Sequence, residues 1–478
     1  MEPLKPVIVD LDGTLIKSDT LLECFMALLK GNLLAIFLLP FWLLKGKANL
    51  KSRIAERVEI DVTLLPYNHD VVDYIKSMRS LGHRCYLATG ASAKVAEQVS
   101  NHVGLFDGIF SSTEETNLTG SRKAALLHEQ FGAGNYIYLG NHRVDLAIWQ
   151  DAAEAVVVSD SHSLVARARK VNSKVSQIAV SSATLKTWLK AIRVHQWVKN
   201  ALLFVPLLTS HNLHQMDLVI LCVLGFLAYS FSASSVYVLN DLLDLESDRH
   251  HPRKSKRPFA SGALSITAGL VLFPLLLLLA FAISTLLPLP FFIALVCYYL
   301  LTLAYSFRLK KVIILDTLLL ALLYTMRIIA GTVLIGVAFS FWLLAFSMFV
   351  FLSLALVKRY TELVVMQKEG NTKIAGRGYS AEDAPIVAAL GASSGYMAVL
   401  VFALYVNSPD VWNLYTAPSV LWLACPVLLY WISRVWIIAN RGEMHDDPIV
   451  FAVKDLQSII TGIFVLVLFV VASVMVMA

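Results

Sequence analysis

The chain has 478 residues, of which 57% are hydrophobic, and its mean hydropathy is +0.66. Soluble proteins are about 45–50% apolar, so this composition excludes an entirely soluble protein. The net charge of +6 is modest, and the lysines and arginines lie beside apolar blocks, which argues against a nucleic-acid-binding protein. The five cysteines show no metal-ligand or paired spacing, so we expect reduced thiols.

The apolar residues are unevenly distributed along the chain. Up to about residue 185 they are mixed with charges as in a soluble domain, whereas the remainder runs in long apolar blocks. We therefore predict a soluble domain over 1–165, a basic, serine-rich linker over 166–190 and a membrane domain over 191–478. No basic stretch with an apolar signal core opens the chain, so we expect the soluble domain to stay in the cytoplasm.

The first predicted element is a short apolar strand that ends in Asp10 and Asp12, followed by glycine and Thr14. Hydrolysis of a phosphate monoester needs a nucleophile and a proton donor, and two neighbouring aspartates can supply both. This DxDGT string resembles motif one of the haloacid dehalogenase superfamily. The resemblance implies an α/β Rossmann-like domain with a helical cap, in which Asp10 forms an aspartyl-phosphate and Asp12 handles the proton.

Later stretches follow the order of that superfamily: Thr89 ends a second strand, Lys123 follows, and Gly-Asn-His-Arg-Val-Asp ends at Asp145. The resemblance implies that Thr14, Thr89 and Lys123 hold the phosphate. It also implies a Mg²⁺ ion held by Asp10, Asp12, Asn141 and Asp145. Asn141 replaces the customary carboxylate, but an amide oxygen can still bind Mg²⁺. We therefore favour a working phosphatase over a degenerate regulatory domain.

An apolar segment over 31–44 interrupts the soluble domain where that fold carries its cap. It is too short, and too interrupted by proline, to be a confident membrane span. Trp42, near Lys45 and Lys47, suits a helix that docks at the membrane interface. An ordinary apolar cap core explains the segment equally well, and both alternatives stay open.

Nine predicted spans follow in an all-α membrane domain, and the first of them is short. They start near Trp197, Leu218, Ile266, Pro290, Val312, Phe341, Pro385, Pro418 and Ser458. Nearly all lysines and arginines of this half fall in the loops around 242–265, 306–312, 358–383 and 438–457, and the opposite loops have none. The positive-inside rule therefore predicts a multi-pass membrane protein with the soluble domain and these loops on the cytoplasmic side.

The second span ends in an acidic run that contains Asn240, Asp241, Asp244 and Asp248. The aspartates stand at i, i+3 and i+7, so a continuous helix would place them on one face. Acids at a helix C-terminus oppose the helix dipole, which argues against a simple helix cap. Stacked carboxylates repel one another unless a cation lies between them, and hard oxygen ligands favour a Mg²⁺ ion shared with substrate phosphates.

A basic loop follows the acidic run directly and contains Arg253, Lys254 and Arg257. Alone, such a loop could bind anionic lipid headgroups. Beside a metal site it offers cationic partners for phosphate oxygens. The combination predicts a diphosphate site.

The NDxxDxxxD motif at a helix end within nine spans resembles the UbiA superfamily of intramembrane prenyltransferases, over roughly residues 190–478. Most members carry a second DxxxD motif. Here Asp316 is followed by Leu320 where the second acid would stand. This departure argues against transfer of a prenyl chain to an aromatic acceptor.

Other strings resemble the decaprenyl-phosphate phosphoribosyltransferase branch: RxHQWxKN, HPxKxxRP, KRxxE and RGEMHDDP. The resemblance implies phosphoribosyl pyrophosphate as donor and polyprenyl phosphate as acceptor. The residues it places near the substrates are Lys199, Lys310, Asp316, Arg327, Lys358, Arg359, Asp446 and Asp447. Buried charges within a membrane are costly, so Arg327 either meets a phosphate or forms a structural pair between helices. Topology alone also explains Lys358 and Arg359.

The fused halves predict consecutive reactions. The membrane half would make polyprenyl-phosphoryl-5-phosphoribose, and the soluble half would remove its 5-phosphate, on a route to cell-envelope arabinose. Mg²⁺ is expected in both domains and membrane lipids are expected partners, while self-association is left open. The alternatives are a UbiA-type prenyltransferase with a regulatory soluble domain, and a transporter or lipid scaffold.

Overall fold

The computed structural model describes residues 4–113, 116–180, 182–368, 377–444 and 447–474. Two compact units make up the chain. The first comprises Met1–Ile192 and Tyr237–Pro274, and the second comprises Arg193–Val236 and Leu275–Ala478. The acidic run and the basic loop, which we predicted as part of the membrane domain, therefore pack with the soluble domain.

A six-stranded parallel sheet forms the centre of the first unit. Its strands are β1 (Val7–Val9), β2 (Cys85–Ser92), β3 (Gly108–Ser112), β4 (Ile137–Gly140), β5 (Glu154–Val158) and β6 (Val175–Ile178). Their order is β3-β2-β1-β4-β5-β6, which is a doubly wound arrangement. The three residues of β1 are fully buried because helices cover both faces of such a sheet. The predicted α/β fold is confirmed.

Among the described residues before 192 there are nine α-helices: α1 (Thr20–Gly31), α2 (Leu39–Leu44), α3 (Lys47–Arg57), α4 (His69–Ser80), α5 (Ala93–Val103), α6 (Ser121–Phe131), α7 (Leu146–Asp151), α8 (His162–Val171) and α9 (Leu185–Ala191). The first three form the helical insertion between β1 and β2. The linker expected over 166–190 instead contains the end of α8, β6 and most of α9, because β6 pairs with β5 and completes the sheet.

The apolar segment over 31–44 is strongly exposed within its unit. It forms a 3-10 helix, Leu33–Leu38, followed by α2. The exposed fractions are 70% for Leu34, 69% for Phe37 and 85% for Leu44. Ala35 is nevertheless buried, and Leu39 and Trp42 pack against the core of the unit, so the segment has one buried face and one exposed apolar face. Docking of the exposed face at the membrane interface stays a prediction.

The remaining helices are α10 (Val205–Thr209), α11 (Met216–Leu243), α12 (Leu245–His250), α13 (Ile266–Ser284), α14 (Leu289–Phe307), α15 (Leu315–Ile335), α16 (Phe341–Lys368), α17 (Ala384–Val406), α18 (Pro409–Leu414), α19 (Ala424–Arg441), α20 (Pro448–Lys454) and α21 (Leu456–Val474). Within the described residues, eight helical segments are long and apolar enough to cross a membrane: Met216–Leu243, Ile266–Ser284, Leu289–Phe307, Leu315–Ile335, Phe341–Lys368, Ala381–Val406, Pro418–Arg441 and Leu456–Val474. They match the second to ninth predicted spans.

The first predicted span, near Trp197, differs. It forms a 3-10 helix, Val194–Phe204, followed by the short α10. Two polar residues in this stretch, Lys199 and Asn200, are buried, and Pro206 lies at the start of α10. Proline favours the first turn of a helix because it has no backbone N–H, which agrees with a separate helix that begins at Val205.

Close packing of the 3-10 helix depends on a glycine of α15. A β-carbon on Gly331 would lie 2.2 Å from the carbonyl oxygen of Leu203. Small residues permit such close approach between membrane helices. The 3-10 helix, which carries Lys199, is thereby held against α15 in the second unit.

Candidate active sites

The first candidate site lies at the carboxyl end of the central strand of the sheet. Asp10 directly follows β1, Asn141 directly follows β4, and Thr89 lies within β2. Ligand sites of doubly wound sheets occur at this edge, where the strand order reverses. The strand order therefore brings together motifs that are far apart in the sequence.

Asp10 forms a buried ion pair with Lys123. The Nζ atom of Lys123 lies 2.6 Å from Oδ1 of Asp10, and it also donates to the carbonyl oxygen of Ala88 at 2.9 Å and to the hydroxyl of Tyr138 at 3.1 Å. Only 4% of Lys123 is exposed. These bonds fix the ammonium beside the carboxylate that we expect to receive the phosphoryl group.

Asp12 faces the start of the cap helix α1. The backbone N–H of Thr20 donates to Oδ1 of Asp12 at 2.7 Å. Burial, together with the negative charges of Asp19 and Asp10, raises the pKa of Asp12 to about 7. A carboxyl group with this pKa holds a proton near neutral pH and can donate it.

Asp145 is held by a short loop after β4. Its Oδ2 accepts the backbone N–H groups of Asn141 at 3.1 Å and His142 at 2.9 Å, and Tyr138 donates its hydroxyl to Oδ1 at 3.2 Å. Burial and the negative charge of Asp10 raise the pKa of Asp145 to about 6. The amide of Asn141 lies close to Gly13. A β-carbon placed on Gly13 would lie 2.1 Å from Nδ2 of Asn141. Asn141 therefore packs directly on the DxDGT loop.

The chemistry of these side chains fits a hard cation. Asp10, Asp145 and Asn141 offer oxygen atoms, which Mg²⁺ prefers. Burial is the main cause of the raised pKa values of Asp12 and Asp145, and the nearby carboxylates add to it. Within the described part of the chain, no three His, Cys, Asp or Glu side chains converge closely enough to hold a metal by themselves. The amide of Asn141, backbone oxygens or the substrate phosphate would have to complete such a site.

A cavity of about 480 Å³ surrounds this site. Five residues predicted from the sequence line it: Asp10, Asp12, Lys123, Asn141 and Asp145. The side chains of Thr14 and Thr89 are completely buried, and the Thr89 hydroxyl accepts the backbone N–H of Ala91 at 3.0 Å. This contact supports the loop after β2.

Two parts of the cavity wall were missed by the sequence reasoning. Lys51 comes from cap helix α3 and donates to the carbonyl oxygen of Gly90 at 2.6 Å and to Oδ1 of Asn117 at 3.1 Å. The segment 265–267, at the start of α13, forms another part of the wall. Neither carries a motif, because both reach the site only through tertiary packing.

The acidic run differs from the continuous helix that we predicted. Helix α11 ends at Leu243, and Asp244 precedes the separate helix α12. Arg257 binds two of the aspartates, at 3.1 Å from Asp241 and 2.5 Å from Asp248. Asp244 instead lies 3.5 Å from Lys30 of the cap helix α1. The helix break separates the middle carboxylate from the other two.

Asp241 and Asp248 nevertheless behave as a pair that shares one cation. Both are buried, and burial raises the pKa of Asp248 although Arg257 lies beside it. Asn240 precedes Asp241 at the end of α11, whereas Arg253 and Lys254 are exposed in the basic loop. The oxygen pair is suited to a divalent cation once Arg257 turns away or binds a phosphate.

In the second unit, Asp316 at the start of α15 is completely buried. Its carboxylate lies 2.6 Å from Arg359 and 3.3 Å from Arg377, and it accepts the hydroxyl of Tyr379 at 2.7 Å. Arg359 also pairs with Glu362. The carboxylate of Asp316 is therefore occupied by cationic and phenolic partners, which is the arrangement of a structural ion network.

A second buried pair joins Lys199 to Asp447. Asp447 also caps α20, because it accepts the backbone N–H of Ile449 at 3.1 Å. Burial opposes the charge of Asp447, but the ammonium groups of Lys199 and Lys358 hold its pKa below the usual value. These three predicted residues are thus brought together.

Arg327 is buried within α15 and bonded to polar groups of neighbouring segments. Its Nε donates to Asn200 at 2.8 Å, and its Nη2 donates to the hydroxyl of Tyr298 at 2.9 Å. The guanidinium also lies over the rings of Tyr298 and Tyr324. This geometry favours the structural alternative for Arg327. Lys310 lies in a short 3-10 helix, Leu309–Lys311, and Asp446 lies outside the described residues.

Comparison with known proteins identifies relatives of both the whole chain and its membrane half. Residues 201–459 match the UbiA prenyltransferase family. The chain is 39% identical, over 98% of its length and 91% of the relative's, to the protein named uncharacterized protein y4nM of Sinorhizobium fredii. It is 29% identical to the decaprenyl-phosphate phosphoribosyltransferase of Mycolicibacterium smegmatis, over 56% of this chain and 86% of that one. A solved UbiA homolog of Archaeoglobus fulgidus, bound to GPP and Mg²⁺, covers 60% of this chain and 100% of its own at 18% identity, with a TM-score of 0.46.

Proposed function

The chain belongs to the UbiA prenyltransferase family and is a multi-pass membrane protein, and from that premise we propose that it is a bifunctional enzyme. The membrane half transfers 5-phosphoribosyl from phosphoribosyl pyrophosphate to a polyprenyl phosphate such as decaprenyl phosphate. The soluble domain then hydrolyses the 5-phosphate and yields polyprenyl-phosphoryl-ribose, a precursor for cell-envelope arabinose. The observation that carries this proposal is a phosphatase-like site fused to a membrane half that is similar to phosphoribosyltransferases.

The acidic run supports the transferase step. Asp241 and Asp248 share the guanidinium of Arg257, so the pair is already arranged around a positive charge. Mg²⁺ held by the aspartates of this motif would neutralise the departing pyrophosphate. Arg253, Lys254 and Arg257 supply cationic partners for phosphate oxygens from the same loop.

The pair of Asp10 and Asp12 supports the phosphatase step. An oxygen of Asp10 attacks phosphorus, the bond to the sugar oxygen breaks, and Asp12 gives its proton to that oxygen. Water then attacks the aspartyl-phosphate, Asp12 takes a proton from the water, and inorganic phosphate leaves as Asp10 is restored. Lys123 offsets negative charge throughout, and Mg²⁺ bound by Asp10, Asp145 and Asn141 would supply further neutralisation.

The distribution of charge along the chain supports a cytoplasmic location for both reactions. The loops that carry nearly all lysines and arginines of the membrane half include the acidic run and its basic sequel. We therefore infer a bacterial inner-membrane enzyme that takes its water-soluble donor from the cytoplasm. Its acceptor would come from the bilayer.

The test uses the purified full chain in lipid vesicles with Mg²⁺, phosphoribosyl pyrophosphate and polyprenyl phosphate. We expect release of pyrophosphate and formation of polyprenyl-phosphoryl-ribose. Asp10→Asn should make the lipid that still carries the 5-phosphate accumulate, whereas Asp241→Asn should stop pyrophosphate release. Asp73→Asn, in an exposed pair on α4, is the matched control and should behave as the unmodified protein.

The family name favours a second candidate, transfer of a prenyl chain from a prenyl diphosphate to an aromatic acceptor. Leu320 argues against it, because the second acidic motif of such enzymes is incomplete here. The two candidates differ in the donor that they consume. Loss of prenyl diphosphate without loss of phosphoribosyl pyrophosphate would replace our proposal with this one.

A further inference from the structure

The phosphatase cavity has a wall that the soluble domain does not supply. Ser265, Ile266 and Thr267 line the same cavity as Asp10 and Lys123. These residues open α13, a 19-residue apolar helix that is one of the eight candidate spans. The cavity that contains the nucleophile is thus lined in part by the start of a helix that is long and apolar enough to cross a membrane.

This wall is firmly attached to the soluble domain. Arg249 donates to both carboxylate oxygens of Glu23, at 2.6 and 3.1 Å, and its Nε donates to the carbonyl oxygen of Ala260 at 2.9 Å. Gly262, at φ +72°, packs so tightly that a β-carbon would lie 2.7 Å from Cβ of Lys17. Lys17 itself lines the cavity. The position of the wall is therefore set by close contacts with the cap helix and the loop after β1.

From this arrangement we infer that the segment 265–267 determines the substrate specificity of the phosphatase and selects a sugar phosphate carried by a membrane lipid. The inference rests on the proposed phosphatase function and adds the structural element that selects the substrate. Thr267 is its central residue, because it is exposed and lines the cavity. Ser265 also caps α13, because its Oγ accepts the backbone N–H of Ala268 at 3.1 Å. A substitution of Ser265 would therefore disturb the helix as well as the cavity.

The size and chemistry of the cavity suit such a substrate. A volume of about 480 Å³ is larger than a phosphate group needs and lies in the range of about 300–1,000 Å³ that is usual for small-molecule sites. Asp10 and Lys123 face the phosphate, and the hydroxyls of Ser265 and Thr267 can bond sugar hydroxyls. The helix that begins at Ile266 enters the bilayer, so a substrate beside it can keep its lipid chain in the membrane.

The experiment compares two sources of the same sugar phosphate with the full chain in vesicles. One is a synthetic short-chain polyprenyl-phosphoryl-5-phosphoribose, and the other is free ribose 5-phosphate. We expect kcat/KM to be higher for the lipid-linked substrate. The ratio of kcat/KM for the lipid-linked substrate to kcat/KM for free ribose 5-phosphate should fall about threefold to tenfold in Thr267→Ala, which loses one hydrogen bond. It should fall at least tenfold in Thr267→Trp, whose large side chain would occupy space in the cavity. Thr285→Ala and Thr285→Trp, just after the far end of the same helix, are matched controls that should keep the ratio.

Each outcome has a distinct meaning. The inference would be overturned if the ratio in both Thr267 variants stayed within twofold of the ratio in the unmodified protein. Equal losses of kcat/KM for both substrates would overturn it as well. Failure of the unmodified protein to hydrolyse the lipid-linked substrate, or continued hydrolysis by Asp10→Asn, would instead overturn the proposed phosphatase function. Size-exclusion profiles and thermal unfolding of the variants identify any that fail to fold. Thr267→Ala, which removes only a small exposed group, keeps the inference testable if Thr267→Trp does.

Discussion

Removal of the carboxylate of Glu23 should release the loop 249–262, which joins the acidic run to the cavity wall. The Glu23–Arg249 pair is bidentate, with side chains only 5% and 8% exposed, and Ser18 donates a further hydrogen bond of 2.5 Å to Glu23. Breaking a buried pair by removing one partner costs about 3–5 kcal/mol, because the remaining charge is left buried and unpaired. Glu23→Gln should therefore lower the free energy of opening of residues 249–262 by this amount.

Hydrogen exchange followed by mass spectrometry measures this opening directly. A loss of about 3–5 kcal/mol speeds exchange by two to three orders of magnitude or more, when exchange reports the opening equilibrium. The control is Asp73→Asn, which removes an exposed ion pair with Lys76 whose expected worth is about 0–1 kcal/mol. A double variant, Glu23→Leu with Arg249→Met, should recover much of the loss because no charge stays buried. Equal exchange in Glu23→Gln and the control would refute this reasoning.

Three further outcomes follow from the same structure. Arg257→Ala removes the guanidinium that binds both Asp241 and Asp248 and competes with a metal ion for them, so the Mg²⁺ concentration needed for half-maximal pyrophosphate release should fall at least tenfold, as a titration would show. Replacement of Phe37 and Leu44 by glutamine should lower kcat/KM for the lipid-linked substrate at least fivefold. The free energy of unfolding should change by no more than about 0.5 kcal/mol, because both side chains are exposed. Burial raises the pKa of Asp12 to about 7, above the value of about 4 in an unfolded chain. The folded protein therefore binds this proton more tightly than the unfolded chain does. The resulting stabilisation is fully present at low pH and is lost as the pH rises through 7. The sugar oxygen of ribose 5-phosphate needs this proton to leave, so the rate of its hydrolysis should fall about tenfold per pH unit above 7.

The convergence of the residues in the first candidate site was predictable because they follow parallel strands. Asp10 and Asn141 each come directly after a strand, and the carboxyl ends of parallel strands meet at one edge of the sheet. Their spacing in the sequence therefore translated into proximity. Lys51, in the cap insertion, and Thr267, at the start of α13, were not predictable, because they reach the cavity through tertiary contacts that no local pattern records.

The acidic run shows where periodicity stops being informative. Spacings of three and seven residues predict one helical face only while the helix continues, and α11 ends at Leu243. The break turns Asp244 towards Lys30, and Arg257 then joins Asp241 to Asp248 from a distant position in the loop. Tertiary ion pairs decided this geometry.

The most direct test of the whole proposal is the lipid product formed from phosphoribosyl pyrophosphate and decaprenyl phosphate. Mass spectrometry of the extracted lipid distinguishes the product with a 5-phosphate from the product without it. The proposal predicts decaprenyl-phosphoryl-ribose from the unmodified protein and decaprenyl-phosphoryl-5-phosphoribose from Asp10→Asn. An unmodified protein that releases no pyrophosphate from this donor, or an Asp10→Asn variant that still forms the dephosphorylated lipid, would contradict it.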